Sequence, residues 1–196
     1  AGIPDLTFDE DGSNGVIDLD DFYSDVETPA ATAVFEAISS IPGISAGVDP
    51  HSHVLTIDGS ANFSGEGTVT LRVTDTGDGS SPRLSVEQTV HVTVVPVADP
   101  PALTVSPHVE GHEGAAIPLT VEATLNDTDG SEMLSMTIDG VPLGASLSAG
   151  VDNGGGNWTL DPQDLVGLTI TIADDAEFTL SVTACATETN NGDTAS

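Results

Sequence analysis

Lysine is absent from this sequence, and arginine occurs only at Arg72 and Arg83, against 32 aspartates and glutamates. At most two carboxylates can pair with a guanidinium, so salt bridges cannot balance the formal charge of −30. Repulsion on that scale opposes compaction. The carboxylates are therefore either spread over a solvated surface or gathered around cations. Without basic surface, nucleic acid and anionic membrane are excluded as partners. No run of about eighteen apolar residues occurs, so direct membrane insertion by a helix is not expected either. Cysteine occurs once, at Cys185, which excludes an internal disulfide. Aromatics make up only 4% of the chain, so a core must be built from Val, Leu, Ile and Ala. No signal peptide precedes "AGIPDL", and the opening reads as part of a longer protein.

High charge is one mark of disorder, but the other mark, low hydrophobicity, is missing: 38% of residues are hydrophobic. They alternate with polar residues in short runs. A length of 196 residues fits one or two domains. An internal repeat favours two. "IPDLTFDEDG" matches "PPALTVSPHVEGHEG", "IPGISAGVDPHSHVLTI" matches "VPLGASLSAGVDNGGGNWTL", and "TVTLRVTDTGDG" matches "EFTLSVTACATETNNGD". The order is kept, and the spacing is about a hundred residues. The expected domains are 1–98 and 99–196, meeting at "VADPPA", where two prolines make a stiff joint.

Both copies read as all-β, each an Ig-like sandwich of short period-two strands punctuated by Gly, Asp, Asn and Pro. In the first copy, strands are expected near 5–8, 16–19, 31–39, 43–46, 53–57, 68–74 and 84–95. In the second they fall near 102–107, 116–123, 133–138, 145–148, 157–160, 168–172 and 177–184. "DPQDLVG" reads as a helical turn capped by Asp161. The second copy lacks its last strand. Either the segment is cut there, or a neighbouring chain donates the strand to the open edge.

Strand order decides where the acids go. Alternate strands run to opposite ends of a sandwich, so the loops after the first and fifth strands lie at the end where the chain leaves. In the first copy those positions carry Glu10 and Glu66, and the linker carries Asp99. The loops after the second and sixth strands lie at the other end. In the second copy they carry Asp127, Asp129, Glu188 and Asp193. These acids are expected to converge at one junction. Several carboxylates with loop carbonyls make up a calcium site of six to eight oxygens. The corresponding loops of the first copy hold Asp20, Asp21, Asp25, Glu27, Asp75 and Asp78, which would face a preceding module. At the far end of the second copy, Glu110, Glu113, Asp174, Asp175 and Glu177 would face a following one. The bland alternative is that all these loops are simply solvated.

Glu10, Glu66, Asp99 and Asp127-Thr128-Asp129 resemble the calcium-coordinating scheme of cadherin repeats. The first copy resembles the bacterial cadherin-like tandem repeat in "EDGSNGVIDLDDFYSD", "ANFSGEGTVTLRVTD" and "VTVVPVADPP". The second resembles the Ig-like repeats of giant RTX-type bacterial adhesins in "LNDTDGSEMLSMTIDGVPLGASLSAGVDNGGGNWTLDPQDLVGLTI" and "FTLSVTA". The resemblance implies a secreted or cell-surface protein of a Gram-negative, marine bacterium. It implies a calcium-stiffened spacer serving cell adhesion and biofilm, with neighbouring repeats of the same polypeptide as partners. Polysaccharide, or another copy of the adhesin, is the alternative partner. The sequence departs from the pattern where Ala184 stands at the position matching Asp75, and where the linker "ADPP" is less acidic than in animal cadherins.

Other chemistry finds no footing. His51 and His53 share a strand face but have no third ligand, and read as a solvated hairpin end. Cys185, placed at the start of a loop, has no histidine to activate it. Trp158 reads as a cap on the core. The glycines of "GVDNGGGNW" precede no helix, so they are not a phosphate loop. The chain is therefore read as a non-enzyme.

Overall fold

The computed structural model describes residues 2–12, 15–26, 28–77 and 82–196. Glu27 and Asp78, named above, lie outside the described residues. The chain divides into two compact units, Ala1–Val97 and Ala98–Ser196. Among the described residues, regular structure consists of β-strands and three short 3-10 turns, and no helix is long and apolar enough to cross a membrane.

The first unit contains β1 (Leu6–Asp9), β2 (Gly15–Asp18), β3 (Val34–Ser39), β4 (Ile44–Val48), β5 (Val54–Gly59), β6 (Gly65–Thr74) and β7 (Ser85–Val95). One sheet runs β1-β7-β6-β3 and the other β2-β5-β4. β1 lies parallel to β7; the other pairs are antiparallel. Alternation selects the inward face. Val90, Val92 and Val94 of β7 and Val69 and Leu71 of β6 bury against Ile17, Leu55 and Ile57 of the other sheet. Each such side chain contributes roughly 1.5–3 kcal/mol, which is what offsets the repulsion of the acidic surface. Gly67 sits opposite Val92 in the ladder, and the Ile41 side chain fills the place where a Cβ would stand.

The second unit contains β8 (Ala102–Val105), β9 (Ala116–Pro118), β10 (Val121–Thr124), β11 (Glu132–Asp139), β12 (Ser146–Leu147), β13 (Val151–Gly154), β14 (Asn157–Leu160), β15 (Thr169–Thr171), β16 (Ser181–Glu188) and β17 (Thr194–Ala195). The main sheet is β13-β14-β11-β16-β17; smaller sheets are β12-β15-β9 and β10-β8. Met136 and Ile138 of β11, Leu160 of β14 and Ala184 of β16 pack against Ile117, Leu147 and Ile170 of the smaller sheets. Trp158 covers this core from one side. The 3-10 turn Pro162–Leu165 sits where a helical turn is expected, and the Asp161 N–H donates to Asp164 Oδ2 at 2.9 Å.

The all-β reading holds, with local corrections. The run 116–123 is two strands in different sheets, β9 and β10. Pro118 ends β9, an edge strand, where the N–H that proline lacks is not needed by a ladder. The expected strand 177–184 pairs instead over Ser181–Glu188, which puts Cys185 inside a strand rather than at the head of a loop. Its alternation runs unbroken from Phe178 to Glu188, so periodicity does not mark the ends. The run "GVDNGGGNW" is a hairpin, β13-β14, whose turn needs glycine because Gly154, Gly155 and Gly156 all have positive φ. β17 pairs with β16 through Ala186–Ala195 and Thr187–Thr194.

His53 also differs from expectation. His51 is exposed, but His53 is buried, with Nδ1 2.8 Å from Asp20 Oδ1 and its ring 4.7 Å from that of Phe35. Asp49 Oδ1 accepts the N–H groups of His51 and Ser52 at 2.9 and 2.8 Å, tightening the turn. His53 leaves that turn at φ 51°, inward-facing.

Candidate metal centre

In the first unit, Glu10 directly follows β1 and is buried. Its N–H donates to Val95 O at 2.9 Å, and its Oε1 accepts the Val97 N–H at 2.6 Å. Glu66 is exposed on β6, opposite Thr93. The two glutamates thus flank the last residues of β7, one from each neighbouring strand. Asp25 and Asp75 lie together elsewhere in this unit. Asp25 Oδ1 accepts the Thr28 N–H, and Asp75 Oδ1 accepts those of Gly77 and Leu84. Burial holds the Tyr23 hydroxyl above its usual range, and the charges of Asp25 and Asp75 push it further.

The second unit gathers a denser group. The stretch after β10, "NDTDGSE", folds through its own carboxylates: Asp127 Oδ1 accepts the Asp129 N–H at 2.8 Å, and Asp129 Oδ1 accepts the Ser131 N–H at 2.7 Å. Aspartate favours such local turns because its side chain reaches the amide two residues on. Glu132 then opens β11, directly opposite Glu188, the last residue of β16. Both lie on the inward face, in line with Met136 and Ile138 on one strand and Ala184 and Ala186 on the other. Ser131 Oγ donates to Glu188 Oε1 at 3.1 Å. The lead-in to the unit is tied to the same group: Glu132 Oε1 accepts the Asp99 N–H at 2.7 Å, and Asp193 Oδ2 accepts the Ala98 N–H at 3.1 Å.

Asp127, Glu132 and Glu188 are 2%, 8% and 1% exposed. Each commits one oxygen to a protein donor. The second oxygens, Asp127 Oδ2, Glu132 Oε2 and Glu188 Oε2, are buried with no hydrogen-bond partner. Buried polar atoms are normally satisfied, because leaving one unpaired costs about 1–3 kcal/mol and more for a charge. Carboxylate oxygens of Asp127 and Glu188 lie within 4.8 Å of each other, close enough to share one ion. Burial raises the carboxyls of both glutamates above the usual range. The Asp99 N–H and the Ser131 hydroxyl oppose that shift; Asp127, Asp129 and the other neighbouring acids add to it. Hard, unpaired, negatively charged oxygens without basic neighbours fit a hard divalent cation.

Of the residues expected from the sequence, Asp99, Asp127, Asp129 and Asp193 are thus brought to one end of the second unit, and Glu10 and Glu66 to one end of β7. Glu188 is also among the acids expected to converge, but as a loop residue, whereas it ends β16; Glu132 is not among them. A signal existed: both extend the inward side of an alternating strand pattern, where an unpaired acid is out of place.

No protein-family model and no curated protein matches this chain. Among solved structures, one likeness is to a SusE-like surface-located polysaccharide-binding protein from the Bacteroides thetaiotaomicron heparin utilisation locus. It has 13% identity and a TM-score of 0.35, over 97% of this chain and 85% of that one. Another is to the protocadherin gammaB7 EC3-6 cis-dimer, with 14% identity and a TM-score of 0.32, over 81% of this chain and 36% of that one. Likenesses of this size assign neither family nor activity.

Proposed function

We propose that this chain is a calcium-binding extender segment of a bacterial surface adhesin of the RTX type, acting outside the cell in adhesion and biofilm formation. The observation that carries the reading is the set of unpaired buried oxygens on Asp127, Glu132 and Glu188. A calcium ion, when bound, supplies positive charge and six to eight coordination positions for oxygen. Asp127 and its neighbours in "NDTDGSE" hold their oxygens in place through backbone hydrogen bonds, so little ordering remains to be done on binding. Glu132 and Asp193 carry the state of the acidic group to the lead-in at Ala98 and Asp99.

In this reading Glu10 and Glu66 contribute from the first unit, as the strand order in the sequence has it, and binding stiffens the linker. Asp25 and Asp75 serve the corresponding joint with a preceding repeat. The partners are neighbouring repeats of the same polypeptide. Small-angle scattering of the full chain with calcium and with chelator tests the mechanical part: chelation is expected to broaden the distance distribution, and superimposable curves would sink it. A glycan array in calcium buffer is expected to stay blank. A clear hit would replace the spacer with a polysaccharide-binding role.

A further inference from the structure

The strands of the first unit differ in length. β6 and β7 run for 10 and 11 residues, whereas β2 and β5 of the other sheet run for 4 and 6. The inward rungs of the long pair read Val69–Val90, Leu71–Gln88 and Val73–Val86. The first rung is closed off from water, but Val86 is 65% exposed and Leu84, just before β7, is 67% exposed. After Asp18, β2 gives way to the 3-10 turn Leu19–Phe22 and the segment to Asp25, which cover this overhang only in part. A cavity of about 420 Å³ remains, walled by Phe22, Phe35, Leu71, Leu84 and Val86. Tyr23 meets Phe35 edge to face there, with ring centroids 5.5 Å apart. Apolar wall left in contact with water forgoes stabilisation in proportion to its area. A concave apolar site of this size is of the kind that takes a small molecule.

Charge decides which guest fits. Among the described residues, the lining carries four carboxylates, Asp25, Glu36, Asp75 and Glu87, and one guanidinium, Arg72. Arg72 stands between Glu36 and Glu87 in the ladder and donates to Ser85 Oγ at 3.2 Å. The turns that carry Asp25 and Asp75 are held together, since Thr28 Oγ1 lies 3.3 Å from Thr76 Oγ1. An anionic guest is repelled by this lining. A neutral sugar finds few donors, because the Tyr23 hydroxyl is given to Thr28 O and the Gln88 side-chain amide to Ile3 O. An apolar body with one positive charge matches both the walls and the rim. Independently of the calcium reading, we propose that this cavity binds a small amphiphilic ammonium ion, a protonated alkyl- or arylalkylamine. Its apolar body packs against Phe35, Leu84 and Val86, and its ammonium stays at the rim with Asp25 and Asp75.

The test titrates the full chain with n-hexylammonium and follows the backbone amides by NMR. Chelator is present throughout, so that calcium does not contest Asp25 and Asp75. Shifts are expected at Val73, Val86 and Gln88. Hexanol and hexanoate keep the chain length without the positive charge, and are expected to bind about fivefold weaker or more. Ethylammonium keeps the charge but lacks four methylenes, and is expected to bind about a hundredfold weaker or more, at roughly fourfold per buried methylene. Two variants probe the two halves of the site. Asp75→Asn removes a charge and keeps the acceptor for the Gly77 and Leu84 N–H groups, and Val86→Ser removes apolar wall at an exposed position. Each is expected to weaken hexylammonium about threefold or more. Unmoved amides, or hexanol binding as tightly as hexylammonium, would overturn the proposal. So would ethylammonium binding as tightly, which is plain attraction to an acidic surface, or variants that bind as the wild type does. Should a variant fail to fold, the ligand series on the wild type decides. A wild type that binds no calcium would overturn the calcium reading and leave this one standing.

Discussion

Glu132 and Glu188 face each other across the β11–β16 ladder, and burial raises both carboxyls above the ordinary glutamate value of 4.5. A carboxyl raised in the folded state binds its proton more tightly there than in the unfolded chain. Its folded state is thus favoured at low pH and loses stability as pH rises from 4.5 through the raised value. In chelator, acidification from neutral toward pH 5 is expected to raise the melting temperature of the chain. Relief of general acidic repulsion works in the same direction. Thermal scans that fall with acidification would contradict the buried, unpaired state of this rung.

Calcium reverses that dependence, because a carboxylate must be ionised to bind it. At a calcium concentration of 100 times Kd, linkage stabilises the folded state by about 2.7 kcal/mol. For a unit of this size that is roughly 10–20 °C in melting temperature. Differential scanning calorimetry with and without chelator is expected to show a shift of that order. The gain is expected to shrink as pH falls toward the glutamate range.

Asp127 and Asp129 differ in burial, so their substitutions are expected to differ in effect. Asp127 is buried with one oxygen unpaired, whereas Asp129 is exposed and its Oδ1 holds the Ser131 N–H. Asp127→Ala is expected to abolish one calcium from the stoichiometry. Asp129→Ala is expected to weaken binding by a smaller factor through loss of loop order. Equal stoichiometry in wild type and Asp127→Ala would move the site elsewhere.

His53 offers a control remote from these acids in sequence and function. His53→Ala removes a buried ring that contacts Phe35 and pairs with Asp20, and is expected to cost about 2–4 kcal/mol. Asp20→Asn is expected to cost less, about 0–1 kcal/mol, because the Asp20 side chain is 47% exposed. Chemical denaturation measures both. Calcium stoichiometry at Asp127 is expected to be unchanged in either variant.

The strands of the first unit were legible because valine, isoleucine and threonine alternate there in long runs, and β6 and β7 carry the clearest pattern. β13 was missed because its residues are all exposed, so burial leaves no period to read. His53 was misplaced because its inward turn depends on Asp49 capping the two amides before it. That is a backbone event which composition does not reveal.

The acidic group was legible as chemistry and not as geometry. Thirty-two acids against two arginines already required solvated loops or cations. The local spacing of "NDTDGSE" already implied a turn built on its own carboxylates. Tertiary structure alone decided that Glu132 stands opposite Glu188, and that both are closed off from water with an oxygen to spare. Alternation fixes the side of the sheet a residue faces, because it is a property of one strand. The partner across the ladder depends on register between strands, which an alternating pattern permits at any offset of two.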